Sequence, residues 1–150
     1  MSRESKILNA GLWGAEKTIH HYESFGWELL SLNGQQITMT RETQNPVYSD
    51  LVKFQAKYEE LVLAYSSVKY PAAPEKPAPF SLKRCLILLL LAVIPGAAYI
   101  AYKIVQNNKY KEAVQEYENK KAECNAKKEK IAQEIEQTIN DSRATFFGKQ

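Results

Sequence analysis

One hundred and fifty residues, 45% apolar, 25% charged and net +3, leave room for one ordinary domain with a balanced surface. The positive excess is too small to argue for nucleic-acid binding, and two well-separated cysteines, Cys85 and Cys124, exclude a disulfide framework and a cysteine-rich zinc site. The apolar content is uneven: the run from Cys85 to Tyr102 carries no charge, and neither flanking hydrophilic piece is long enough for a large core.

Residues 11–43 read as a helix, a glycine stop and a hairpin. Trp13, Ala15, Ile19 and Tyr22 lie near helical spacing, and Gly26 stands where a helix ends in a left-handed residue. Trp27-Glu28-Leu29-Leu30-Ser31-Leu32 and Gln36-Ile37-Thr38-Met39-Thr40-Arg41 are strand-like, and Asn33-Gly34 between them is a strong hairpin signal. A two-residue loop here pairs Leu32 with Gln35 and Leu30 with Ile37. Leu30, Leu32, Ile37 and Met39 then share one face, which the helix can cover. Asn45-Pro46 suits the N-cap and first residue of a second helix. In that helix Leu51, Phe54, Tyr58, Leu61, Tyr65 and Val68 recur at alternating spacings of three and four. The stripe suits either packing on the chain's own hairpin or pairing with another subunit, and it is the candidate partner face.

The order Tyr22-x-x-x-Gly26-Trp27-Glu28-Leu29-Leu30, then a turn, then Ile37-x-Met39-x-Arg41-Glu42, resembles a small bacterial domain-of-unknown-function family. That family is marked by a Gly-Trp-Glu-Leu motif after a helix and often occurs as a membrane-tethered or stand-alone module. The resemblance covers about residues 11–43 and implies no catalytic residues. Gly26, Trp27, Glu28, Leu29, Asn33 and Gly34 are therefore a structural motif, in which the glycine ends the helix and the tryptophan fills the core. His20-His21 with Glu16 and Glu23 is the sole ligand-like cluster. With no other histidine in the chain, it reads as solvated helix side chains. No nucleophile has a recognisable partner and no glycine-rich phosphate loop exists. The expectation is a chain without catalytic residues, metal, cofactor or small-molecule substrate.

Pro71, Pro74, Pro77 and Pro79 make residues 70–79 a semi-rigid polyproline-II spacer of up to about 30 Å, followed by the basic pair Lys83-Arg84. Cys85–Tyr102, extended through Ile104 and Val105 if Lys103 snorkels, approaches the roughly 20 apolar residues that a bilayer-spanning helix needs. Ala92-x-x-x-Gly96 and Ala97-x-x-x-Ala101 would let such a helix pack closely on another. Pro95-Gly96 would either kink it or turn it into a hairpin, the kinked span being preferred. Lys and Arg are balanced on its two sides, so the N-terminus is placed in the cytoplasm because nothing upstream would direct it outward. Residues 109–142 lack Gly and Pro and predict a long charged helix. Tyr110, Tyr117, Cys124 and Ile131 recur every seven residues, but Lys120, Lys127 and Glu134 leave only half of a coiled-coil seam.

The sequence therefore predicts an α+β chain with a helix–hairpin–helix domain over 1–69 and a Pro-rich linker with a basic flank over 70–84. A transmembrane segment over 85–105 and a charged helical tail over 106–150 follow. The expected role is a non-enzymatic interaction or scaffold module anchored in the plasma membrane, its partners the lipid bilayer and another protein or a second copy. The alternative is an accessory subunit of a membrane transport or envelope complex, recognised through the membrane segment. Nucleic acid is not an expected partner.

Overall fold

Alternation of side chains along Arg3–Asn9 puts Glu4, Lys6 and Leu8 on one face of a strand, β1, which pairs antiparallel with a later one. The computed structural model describes residues 2–91 and 93–148, with 88, 89, 91 and 93–96 given by backbone alone. After β1 come α1 (Ala15–Glu23), β2 (Trp27–Asn33), β3 (Gln36–Glu42), α2 (Tyr48–Ser67), α3 (Leu82–Leu91) and α4 (Val93–Phe147). The sheet order is β1-β3-β2, so β3 is central and the hairpin expected from the sequence has a third strand beside it.

The turn differs from the expected one. Gly34 has φ 61° and no non-glycine residue has positive φ, so Gly34-Gln35 are the central residues of a turn with glycine first, the type II′ pattern. Leu32 therefore faces Ile37, not Gln35, and an irregularity between Leu29 and Ser31 leaves Leu30 as an extra residue. Ile37 and Met39 are fully buried, while Leu30 and Leu32 remain 66% and 50% exposed. The helix starts later than expected as well: Asn45 Oδ1 accepts from Val47 N, and α2 begins at Tyr48 with Val47 as its cap.

The described chain forms two compact units, Met1–Val68 with Lys128–Gln150, and Lys69–Lys127. In the first, Tyr22 and Phe25 from the α1 end, Trp27, Ile37 and Met39 from the sheet, Tyr58 from α2, and Ile135 and Ile139 from α4 make one core. Phe54 and Leu61 pack against it, Leu51 is buried, and Tyr65 lies 5.2 Å from the Trp13 ring, so the α2 stripe faces its own unit. Ser142 Oγ, fully buried, donates to Ser24 O at 2.7 Å and fixes α4 against the end of α1.

In the second unit the proline segment lies along α4. Cys124 Sγ reaches Lys69 O, Tyr70 Oη donates to Asn125 Oδ1, and Lys103 Nζ donates to Ala78 O. The nine extended steps from Lys69 to Ala78 span about 28 Å, and the 21 steps of helix from Cys124 back to Lys103 span about 31 Å, so the two match in length. Pro71, Pro74 and Pro77 are half-buried while the residues between them are exposed, as a three-residue turn laid on a helix requires. This segment is a strap held on α4 rather than a free-standing spacer.

The transmembrane helix and the single-pass plasma-membrane location are corrected too. Among the described residues no helix is long and apolar enough to cross a membrane. The physical reason is chain reversal. Phe80 stacks near Tyr99 with ring centroids 5.6 Å apart, and Ser81 N donates to Tyr99 Oη, so the apolar run is divided between α3 and the start of α4. The ten residues of α3 rise only about 15 Å. Ala92 lies outside the described residues, Pro95 and Gly96 fall within α4, and Ala97 and Ala101 are exposed on it.

Ile139→Ala should lower unfolding stability by about 2–5 kcal/mol, as a large-to-small change in a core, read by urea denaturation. Removal of residues 128–150 should abolish cooperative unfolding of the first unit altogether, because Ile135, Ile139 and Ser142 close its core.

Candidate functional site

Two features stand apart from ordinary packing. The first is the hairpin of α3 and the start of α4. A helix apolar on all sides must be covered, yet Leu82 is 71% and Leu90 85% exposed, and Leu86, Ile87, Ile100, Tyr102, Ile104 and Val105 are also exposed. The strap covers only the base of the hairpin, where a cleft of about 410 Å³ is lined by Pro77, Pro79, Phe80, Ile100 and Tyr110. Lys103 at that base is held by Ala78 O and Gln106 Oε1. Monomeric proteins seldom leave a contiguous apolar surface of this kind, and such surfaces mark association sites.

The second is a cleft of about 330 Å³ in the first unit, between α1 and the end of α4. Trp13 forms a wall, Ile135 and Ile139 form the floor, and Lys17, His20, His21 and Arg143 bring positive or titratable groups to it. Arg143 Nε donates to Ser24 Oγ at 2.9 Å and Nη2 donates to His20 Nε2 at 2.7 Å. His20 Nε2 is therefore the acceptor nitrogen, and its Nδ1 faces Glu23 Oε2 at 3.5 Å. His21 Nδ1 bonds Tyr58 Oη at 2.9 Å. Burial first, then the charges of Lys17, His20 and Arg143, push the His21 imidazole down to about 4.

Of the structural-motif residues, Gly26 and Trp27 lie against a buried arginine, Arg41. Gly26 has φ 79°, and a Cβ there would meet Leu51 Cδ1 at 3.1 Å, so both conformation and space call for glycine. Trp27 Nε1 donates to Gln55 Oε1, while its ring lies 4.5 Å from the Arg41 guanidinium carbon. Glu28 is exposed and pairs with Arg3 at 3.6 Å; Leu29 lies on the outer β2 strand and is exposed, and Asn33 flanks the turn that begins at Gly34. Glu16 and Glu23 do not join the histidines in a ligand set: among the described residues no three His, Cys, Asp or Glu side chains come together around a metal position. Both cysteines are free thiols. The sequence reading missed the cleft, because Arg143 and Ile139 are 120 or so residues from His20 and only the docking of α4 unites them.

No family model matches the chain, and neither the curated proteins nor the solved structures give a match to it.

The His21 geometry makes a pH prediction. Its folded value lies below the ordinary 6.5, so folding favours the uncharged ring. The stabilisation is complete above about pH 6.5 and is lost as pH falls through about 4. Thermal melts between pH 7 and 4 should show the Tm of the natural chain falling more steeply than that of His21→Gln. Parallel curves would remove His21 from the acid sensitivity.

Proposed function

We propose that the chain is a non-enzymatic interaction module whose contact surface is the α3–α4 hairpin and whose partner is a second copy of that hairpin. The observation that carries this reading is the exposure of large aliphatic side chains on both helices. Covering half a dozen of them contributes on the order of 10 kcal/mol, comparable with the roughly 4–15 kcal/mol that association costs. From Cys85 to Tyr102 no charge is available to select an electrostatically distinct partner, whereas a two-fold copy presents the same apolar face. Lys83, Arg84 and Lys103 all sit toward the base of the hairpin. Antiparallel pairing of two hairpins keeps these cations apart and builds a four-helix layer. A non-enzymatic role is supported by the histidines, which are engaged by Tyr58, Arg143 and Glu23 and, among the described residues, by no serine, threonine or cysteine side chain.

Sedimentation equilibrium of the full chain should give a dimer or higher species at micromolar concentration. Leu86→Glu with Leu90→Glu should shift it to monomer while far-ultraviolet dichroism stays unchanged. A natural chain that is monomeric at tens of micromolar, or that instead sediments with lipid vesicles as a monomer, would contradict the proposal.

A further inference from the structure

The cleft between α1 and the end of α4 carries a second inference, independent of the hairpin. Its apolar floor of Ile135 and Ile139 and its Trp13 wall suit a flat hydrocarbon body. Its polar rim is unbalanced. Lys17 and Arg143 both reach it, and among the described residues no carboxylate forms an ion pair with either. Glu136 is the one acidic side chain in the lining, and Glu23 is spent on His20 from outside. Arg143 is fixed at Nε by Ser24 and at Nη2 by His20, so its guanidinium is held in place with donor capacity left over. Lys17 lies with its Nζ 5.9 Å from the Trp13 ring, poised at the same wall. Trp13 Nε1 is, among the described residues, the one buried side-chain nitrogen or oxygen with no hydrogen-bond partner. A volume of about 330 Å³ lies at the lower end of the range for small-molecule sites.

We infer that this cleft binds a small aromatic anion, its ring between Trp13 and the Ile135–Ile139 floor and its carboxylate or phosphate between Lys17 and Arg143. The recognition is charge-assisted hydrogen bonding at one end and apolar burial at the other, so neither a neutral ring nor an inorganic anion satisfies both. Glu136 opposes the anion through like charge. Arg143 also supports the fold through Ser24, but among the described residues Lys17 has no hydrogen-bond partner, so its replacement separates binding from folding.

The test uses the full chain labelled with nitrogen-15 and titrated with benzoate, phenyl phosphate, neutral benzyl alcohol and inorganic phosphate. The indole N–H of Trp13 should shift saturably with benzoate or phenyl phosphate. That of Trp27, held by Gln55, should stay still and serves as the internal control. Which of the two anions binds more tightly assigns the headgroup. Lys17→Gln should weaken binding at least tenfold, and Glu136→Gln should tighten it severalfold, a gain that a damaged fold does not produce. No shift at Trp13 up to millimolar anion, equal binding of benzyl alcohol, saturation by inorganic phosphate alone, or indifference to Lys17→Gln and Glu136→Gln would each overturn the inference.

Discussion

A guanidinium keeps its charge wherever the fold places it, so a buried arginine dictates what must surround it. Arg41 on β3 is only 5% exposed. Glu4 on β1 supplies the counter-charge, with one carboxylate oxygen accepting from Nε at 2.7 Å and from Nη2 at 2.6 Å. Nη1 donates to Phe25 O, and the rings of Trp27 and Tyr48 lie 4.5 and 4.9 Å from the guanidinium carbon. One side chain thus ties together β1, the end of α1, β2 and the start of α2. Removing any partner strands a charge in a site that water scarcely reaches, a cost larger than the net benefit of the intact pair.

The rest of the first unit follows from that requirement. Gly26 must let the chain pass over the Arg41 stem, whose Cδ lies 3.7 Å from where a Cβ would be, and it must do so at φ 79°. A second polar knot lies beside the first: Glu59 Oε1 accepts from Lys6, Tyr22 and Gln55, and Gln55 in turn accepts from Trp27. Burial alone would raise the Glu59 carboxyl, but those donors outweigh it and hold it below the ordinary range. Burial and the adjacent Glu59 push the Tyr58 hydroxyl up to about 12, so it stays protonated beside His21. Specific polar geometry therefore fixes the register of this small sheet, where apolar pattern alone would leave it loose.

These knots explain which parts were legible in the sequence. Helix, hairpin and second helix are visible because Tyr22, Ile37, Met39 and Tyr58 keep apolar spacing. β1 is not, because two of its three core-facing residues are Glu4 and Lys6, and their partners Arg41 and Glu59 lie about 37 and 53 residues away. Register slips because Gly34, rather than Asn33, supplies the positive φ, and an irregularity then shifts the pairing again. The apolar run from Cys85 to Tyr102 has the composition of a span, but composition says nothing of where the chain turns back. The half-seam of Tyr110, Tyr117, Cys124 and Ile131 looked unpartnered because its covering material is a proline strap at one end and a folded core at the other. Neither cover has helical periodicity to betray it.

The dependence on Arg41 is tested most directly by a double-mutant cycle with Glu4, read by urea unfolding of the full chain. Glu4→Ala alone should cost about 3–5 kcal/mol, because it leaves the guanidinium buried and unpaired. In the double variant Glu4→Ala with Arg41→Met, most of that loss should be recovered, since no charge remains to be satisfied. A Glu4→Ala cost below about 0.5 kcal/mol, or a double variant whose loss equals the sum of the single ones, would contradict the account.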